Sequence, residues 1–133
     1  MNVEVFVLCD AATEWHGKLN ILGAFDVLWS RQIPAVHPHC SIAIRLRFSE
    51  IEQGQHKVQI QVVDVDGNVV SPPIEGMVQI AIQSGMTTTA NVVLNLQNLT
   101  LPNYGEYSID LAVDDRQRAT LPLYLIAPLE PAP

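Results

Sequence analysis

The residues best equipped for chemistry lie in the run His37-Pro38-His39-Cys40, because imidazole nitrogen and thiolate sulfur are the usual ligands of zinc. In an extended segment His37 and His39 project to one side and Cys40 to the other. The run then supplies two ligands, and a third must come from Cys9, Asp10 or His16. The competing assignment is a proline-rich loop with solvated histidines, followed by a cysteine that opens a strand. Asp64, Asp66, Asn68 and Glu75 match several oxygen-ligand positions of a calcium loop. Val69 stands where that loop needs glycine and Pro72-Pro73 interrupts it, so a hairpin turn at Asp66-Gly67 accounts for these residues instead.

Catalysis by a nucleophile needs a base within reach, and glycosidic hydrolysis needs two carboxylates across a cleft. Cys9, the four histidines and several aspartates supply the residue types, but no local signature such as G-x-S-x-G accompanies them. Asp114 and Asp115 read as solvated turn residues. Trp15, Trp29 and Tyr104 are the side chains able to stack on sugar rings, with core filling as the competing assignment. Arg45 and Arg47, two apart on one strand face, suit an anion or neighbouring carboxylates. The expectation is a non-enzymatic binding or assembly domain that needs no cofactor. A zinc site on His37, His39 and Cys9, or a carbohydrate-binding surface on Trp15 and Trp29, is the alternative.

The elements that must hold these residues are strands. From Tyr107 to Val113 apolar residues fall on every second position, and Ala119, Leu121, Leu123 and Leu125 repeat the pattern, so Tyr104–Leu125 reads as a hairpin with one buried face. Pro122 cannot donate to a ladder and assigns its strand to an edge or a bulge. Val3–Cys9 is apolar on both faces, which predicts a strand covered on both sides. Gly17–Trp29 reads as one strand with Leu19, Ile21, Phe25, Val27 and Trp29 on a face and Gly23 marking a bulge or a close backbone approach. Pro34–His39 reads as a loop. Ile42, Ile44, Leu46 and Phe48 face inward, as do Val58, Ile60 and Val62 on the next strand. No stretch repeats at helical spacing over a helical length. The fold class predicted is all-β, an antiparallel two-sheet β-sandwich of about seven to nine strands, with residues 1–127 as a single domain and 128–133 as a flexible Pro-rich tail.

Composition narrows the partners. The 133 residues carry a net charge of −7, which opposes phosphate backbones and anionic lipid heads, so neither nucleic acid nor membrane is expected. The N-terminal stretch has no basic start of a secretory signal, and two cysteines are too few for a disulfide framework. These point to a cytoplasmic protein with Cys9 and Cys40 as free, half-buried thiols. Only 16% of residues are charged, and from Gly76 to Gly105 there is no Asp, Glu, Lys or Arg. Natural sheets guard exposed strands with charge, so a surface of Gln79, Gln83, Asn91, Asn95 and Gln97 without any predicts a covered interface. A twofold homodimer covers it most simply, and another protein partner is the other option.

The run VFVLCDAATEWHGKLNILGAFD, the DVDGN turn, Asn95–Leu99 and the closing YGEYSIDLAVDD…LPLYL together resemble a small bacterial family known only as a domain of unknown function. The D-A-A…G-K-L-N-I-L-G-A-F-D pattern is the most specific part. The resemblance implies a compact single β domain and carries no activity, cofactor or site residue. The Tyr104–Leu125 hairpin is also similar to the last two strands of immunoglobulin-like domains, a likeness of fold alone.

Overall fold

The computed structural model describes residues 1–129, so residues 130–133 of the expected tail lie outside the described residues. Among the described residues nine strands form two sheets: β1 (Asn2–Trp15), β2 (Lys18–Ala24), β3 (Val27–Trp29), β4 (Ala35–Phe48), β5 (Gly54–Asp64), β6 (Ile74–Ile80), β7 (Thr88–Leu101), β8 (Gly105–Val113) and β9 (Arg116–Ile126). A four-stranded sheet has the order β2-β1-β4-β7 and a five-stranded sheet the order β3-β9-β8-β5-β6. A 3₁₀ turn, Glu50–Glu52, joins β4 to β5.

The alternating patterns produce the core they predict. Ile42, Ile44, Leu46 and Phe48 of β4, Val58, Ile60 and Val62 of β5, Tyr107, Ile109, Leu111 and Val113 of β8 and Leu123 and Leu125 of β9 are buried in one cluster that draws on both sheets. The tight turns carry the backbone they require. His16-Gly17 has φ of 50° and 75°, and Asp114-Asp115 has 52° and 66°, the two positive values of a type I′ hairpin turn. At Asp64 the carboxylate Oδ1 accepts from the amides of Asp66 and Asn68, both at 2.9 Å, which closes the turn around Asp66-Gly67.

Several expectations are corrected. The sheets are not purely antiparallel, because β3 lies parallel to β9, pairing Val27 with Tyr124 and Trp29 with Ile126. The stretch Gly17–Trp29 is two strands in different sheets: Gly23 takes φ 70°, Phe25 donates its amide to Leu8 O, and the chain crosses over at Asp26. Pro34–His39 is not a loop, since β4 begins at Ala35. Before Ser41 β4 pairs with β7 and not with β1, so Pro38 meets the edge condition that proline in a sheet demands. Pro122 meets it too, because β3 covers β9 only from Tyr124 onward. β1 is buried at Leu8 and Cys9 but only half-buried from Val5 to Val7, and it runs on to Trp15 in a hairpin with β2.

A further correction concerns the histidines. On β7 the buried residues Leu96 and Leu99 are three apart, so the strand exchanges its faces between them, where Asn98 takes φ 53°. Paired residues share a face. His37, opposite Leu99, therefore faces the interior, whereas His39, opposite Gln97, is exposed. The two do not project to one side.

Candidate functional site

The D-A-A…L-G-A-F-D pattern builds a corner where the β1–β2 hairpin leaves the four-stranded sheet. Asp10 stands opposite Gly23, and a Cβ on Gly23 would lie 2.5 Å from Asp10 Oδ2. The close approach read from the sequence is thus the seat of a carboxylate. Beyond it Phe25 turns inward and its ring meets His37, centroids 5.7 Å apart and tilted by 56°. Asp10, Gly23, Ala24, Phe25, Val27, Leu28 and His37 line a hollow of about 270 Å³. Ala24 and Phe25 also line a neighbouring hollow of about 350 Å³ that reaches Leu121 and Pro122. Leu28 and His37 also line a small hollow of about 80 Å³ beside Trp29, Leu99 and Leu125. His37 Nε2 is sealed from solvent with no hydrogen-bond partner, the one such side-chain atom among the described residues.

The remaining expected residues are dispersed. Cys9 and Cys40 are fully buried rather than half-buried, and free. Burial, then the neighbouring Cys9 and Asp10, pushes the Cys40 thiol up to about 11, and burial followed by Asp10 also raises Cys9. Cys9 Sγ donates to Ser41 O at 3.5 Å. Among the described residues no group of three or more His, Cys, Asp or Glu side chains is gathered for a metal. Trp15, 69% exposed at the hairpin tip, lies edge-on to His16, while Trp29, 61% exposed, belongs to the other sheet.

Of the five amides expected at an interface, two are engaged within the chain. Asn91 Oδ1 accepts from Arg45 and its Nδ2 donates to Gly17 O at the hairpin tip, at 3.1 and 3.0 Å. Asn95 Oδ1 accepts from Ser41 Oγ at 2.7 Å. Gln97 on β7 and Gln79 on β6 are exposed, and Gln83 follows the end of β6. These strands are the free edges of the two sheets and pack against each other, so both edges stand on one side of the molecule. The connection between them is held by Glu50, whose Oε1 accepts from Gly85 N, and by Arg47 donating to Thr87 Oγ1 at 2.9 Å.

Arg45 and Arg47 have their anion in the same chain. Glu4, at the irregularity between Val3 and Val5, accepts from their Nε atoms at 3.0 and 2.6 Å, and the Arg47 hydrogen bond leads the lowering of its pKa.

A family of unknown function, DUF6941, matches residues 4–126. The chain belongs to that family. No curated protein and no solved structure matches it. In this DUF6941 chain the matched span holds the His37 hollow, the β1–β2 hairpin and both free edges together.

Sequence reasoning missed one cluster. His56 Nδ1 lies 2.6 Å from Asp114 Oδ2 and Nε2 2.5 Å from Glu52 O, its ring stacked on Phe48 at 4.6 Å. Asp114 Oδ1 accepts from Lys57 N at 3.0 Å, and Lys57 Nζ meets Asp115 at 2.5 Å. The two turn aspartates are thus tied to β5 rather than merely solvated. No local signal marks the partnership, because His56 and Asp114 meet only through the pairing of β5 with β8.

Proposed function

We propose that this protein is a non-enzymatic assembly domain, an immunoglobulin-like β-sandwich that joins a second copy of itself through the side formed by β6 and β7. One core shared by both sheets supports the sandwich reading. So does the corner at Tyr107, whose hydroxyl donates to Asn103 O at 2.6 Å and accepts from Asn103 N at 3.0 Å, the device found at the equivalent turn of immunoglobulin domains.

The observation that carries the assembly reading is the charge-free run from Gly76 to Leu101, which supplies the five residues of β6 that follow Glu75 and the whole of β7. β7 spans fourteen residues without a charge or a proline. Such an edge offers unpaired N–H and C=O groups to any strand that meets it, and lysine or proline is the usual guard. A copy related by a twofold axis brings the same edge in antiparallel array and satisfies both at once. The two buried free thiols suit a reducing compartment, and we assign the assembly to the cytoplasm.

Sedimentation equilibrium of tag-free protein tests the reading. A dimer at micromolar concentration is expected, and Gln79→Lys with Gln97→Lys, both at exposed edge positions, should weaken it about tenfold or more without lowering the melting temperature. A wild-type protein that stays monomeric at those concentrations sinks the proposal.

A further inference from the structure

We propose that the free edge of β2 is a second self-association surface, on which another copy of this chain lays its own β2 antiparallel about a twofold axis through Ile21. The edge is open: β2 pairs with β1 alone, and neither a charge nor a proline stands between Leu19 and Phe25. The strand therefore lacks the usual guards against pairing. Its apolar side chains lack cover as well. Leu22 is 71% and Ile21 40% exposed, beside a hollow of about 370 Å³ walled by the hairpin residues Ala11, Ala12, Thr13, Asn20, Ile21 and Leu22.

Charge decides the occupant. Lys18 opens β2, and at the other end the Asp10 carboxylate lies over Gly23, with Asp26 two residues past Ala24. Among the described residues none of these three charges has an ion-pair partner within the chain. Antiparallel overlap of Lys18–Ala24 with the same seven residues of another copy allows one register, with Ile21 opposite Ile21 on the axis. That register sets Lys18 of each copy opposite Ala24 of the other, next to the Asp10 carboxylate, and Leu22 opposite Asn20. One pairing thus satisfies both charged ends, as a self-complementary contact requires.

β2 and β7 are the two ends of one sheet. Joined with the β7 contact of the proposed function, on which this step alone rests, the β2 contact extends that sheet from copy to copy in an open row. The β2 edge is seven residues long against fourteen for β7, so it closes at the higher concentration.

The test places Ile21→Cys in the full chain with oxidised glutathione as oxidant. Val65→Cys, 75% exposed in the turn after β5, gives the rate of random collision. Cys9 and Cys40 are fully buried and do not compete. Cβ atoms of directly opposed residues lie near the span of a disulfide, so Ile21→Cys should cross-link two copies about tenfold faster than Val65→Cys, or more. Adding Lys18→Glu turns both end contacts repulsive and should slow the cross-link about tenfold. The cross-link should persist in the Gln79→Lys, Gln97→Lys protein, which tells loss of the β7 contact apart from loss of this one. The proposal is overturned if Ile21→Cys couples no faster than Val65→Cys, which would leave the edge to a strand of another protein, or if Lys18→Glu leaves the rate unchanged. Should Ile21→Cys fail to fold, self-association of the Gln79→Lys, Gln97→Lys protein with and without Lys18→Glu, measured by sedimentation, decides the matter by the same tenfold difference.

Discussion

Single residues in this chain act by closing distances that sequence separates. His56 is the clearest instance. Burial favours its neutral form, but the Glu52 carbonyl and the Asp114 carboxylate outweigh that, and its pKa rises above 6.5. Asp114 shifts the opposite way: burial would raise it, while His56 and the Lys57 amide prevail and lower it. A raised histidine contributes stability that is complete below its unfolded pKa and is lost as pH climbs through the folded value. The lowered aspartate contributes above its unfolded pKa and loses its share as pH falls through the folded one. The pair is therefore strongest in mildly acidic solution. Melting temperature should fall between pH 6 and pH 8, by the equivalent of about 1 kcal/mol or less because Asp114 is half exposed. His56→Gln should flatten that slope, and a variant melting in parallel with the wild type across the range would refute the assignment.

Gly23 works at the same scale. With φ at 70°, any L side chain there is strained by roughly 1–2 kcal/mol, and the 2.5 Å approach to Asp10 Oδ2 adds a clash that the aspartate can relieve only by swinging away. Gly23→Ala should destabilise by about that amount in urea denaturation. The substitution should also displace Asp10 from the hollow, which an Asp10 carboxyl resonance unchanged by the mutation would disprove.

At the scale of elements, legibility depended on whether a strand buries one constant face. β5, β8 and β9 do, and alternation alone named their core residues, whereas in β4 Ser41 and Ala43, read as outward, are buried between β1 and β7 along with the inward Ile42 and Ile44. β7 exchanges faces at Asn98, and periodicity has no means of announcing a positive φ at an ordinary residue. His37 and His39 were assigned to one side for that reason, and the candidate metal pair dissolved while an internal histidine took its place. The break of Gly17–Trp29 into strands of different sheets was half visible. Gly23 marked the place, but an apolar pattern continuing through Phe25 to Trp29 gave no hint that the chain changes sheets. The Tyr107 corner is an element-level device because it ties the turn after β7 to the start of β8. Tyr107→Phe keeps the ring and removes both hydrogen bonds, so a loss of about 1–2 kcal/mol is expected. A variant as stable as the wild type would show that the corner is shape alone.

For the whole molecule the two sides are unlike, and the difference argues for where assembly occurs. On one side β2 and β3 are short edges, seven and three residues long, and the chain itself crosses between the sheets there. On the other, a connection also crosses between the sheets, from β6 to β7, but β7 leaves an edge fourteen residues long without a charge. The cysteines offer a way to measure how firmly the body between those sides is closed. Both are fully buried, and Cys40, in the shared core, has its thiol pushed up to about 11 by burial, so the native state presents no thiolate to a disulfide reagent at neutral pH. Cys40 should react with Ellman's reagent only through opening of the core, and its labelling rate should rise with urea in step with the global unfolding equilibrium. If assembly completes the β7 edge, labelling should also slow as protein concentration is raised through the dimer range, because binding of a second copy to the native state adds to its stability. Rapid labelling in native buffer would show that the two sheets separate locally. A rate independent of concentration would detach the core's stability from the edge contact and leave the β6 and β7 side without its partner.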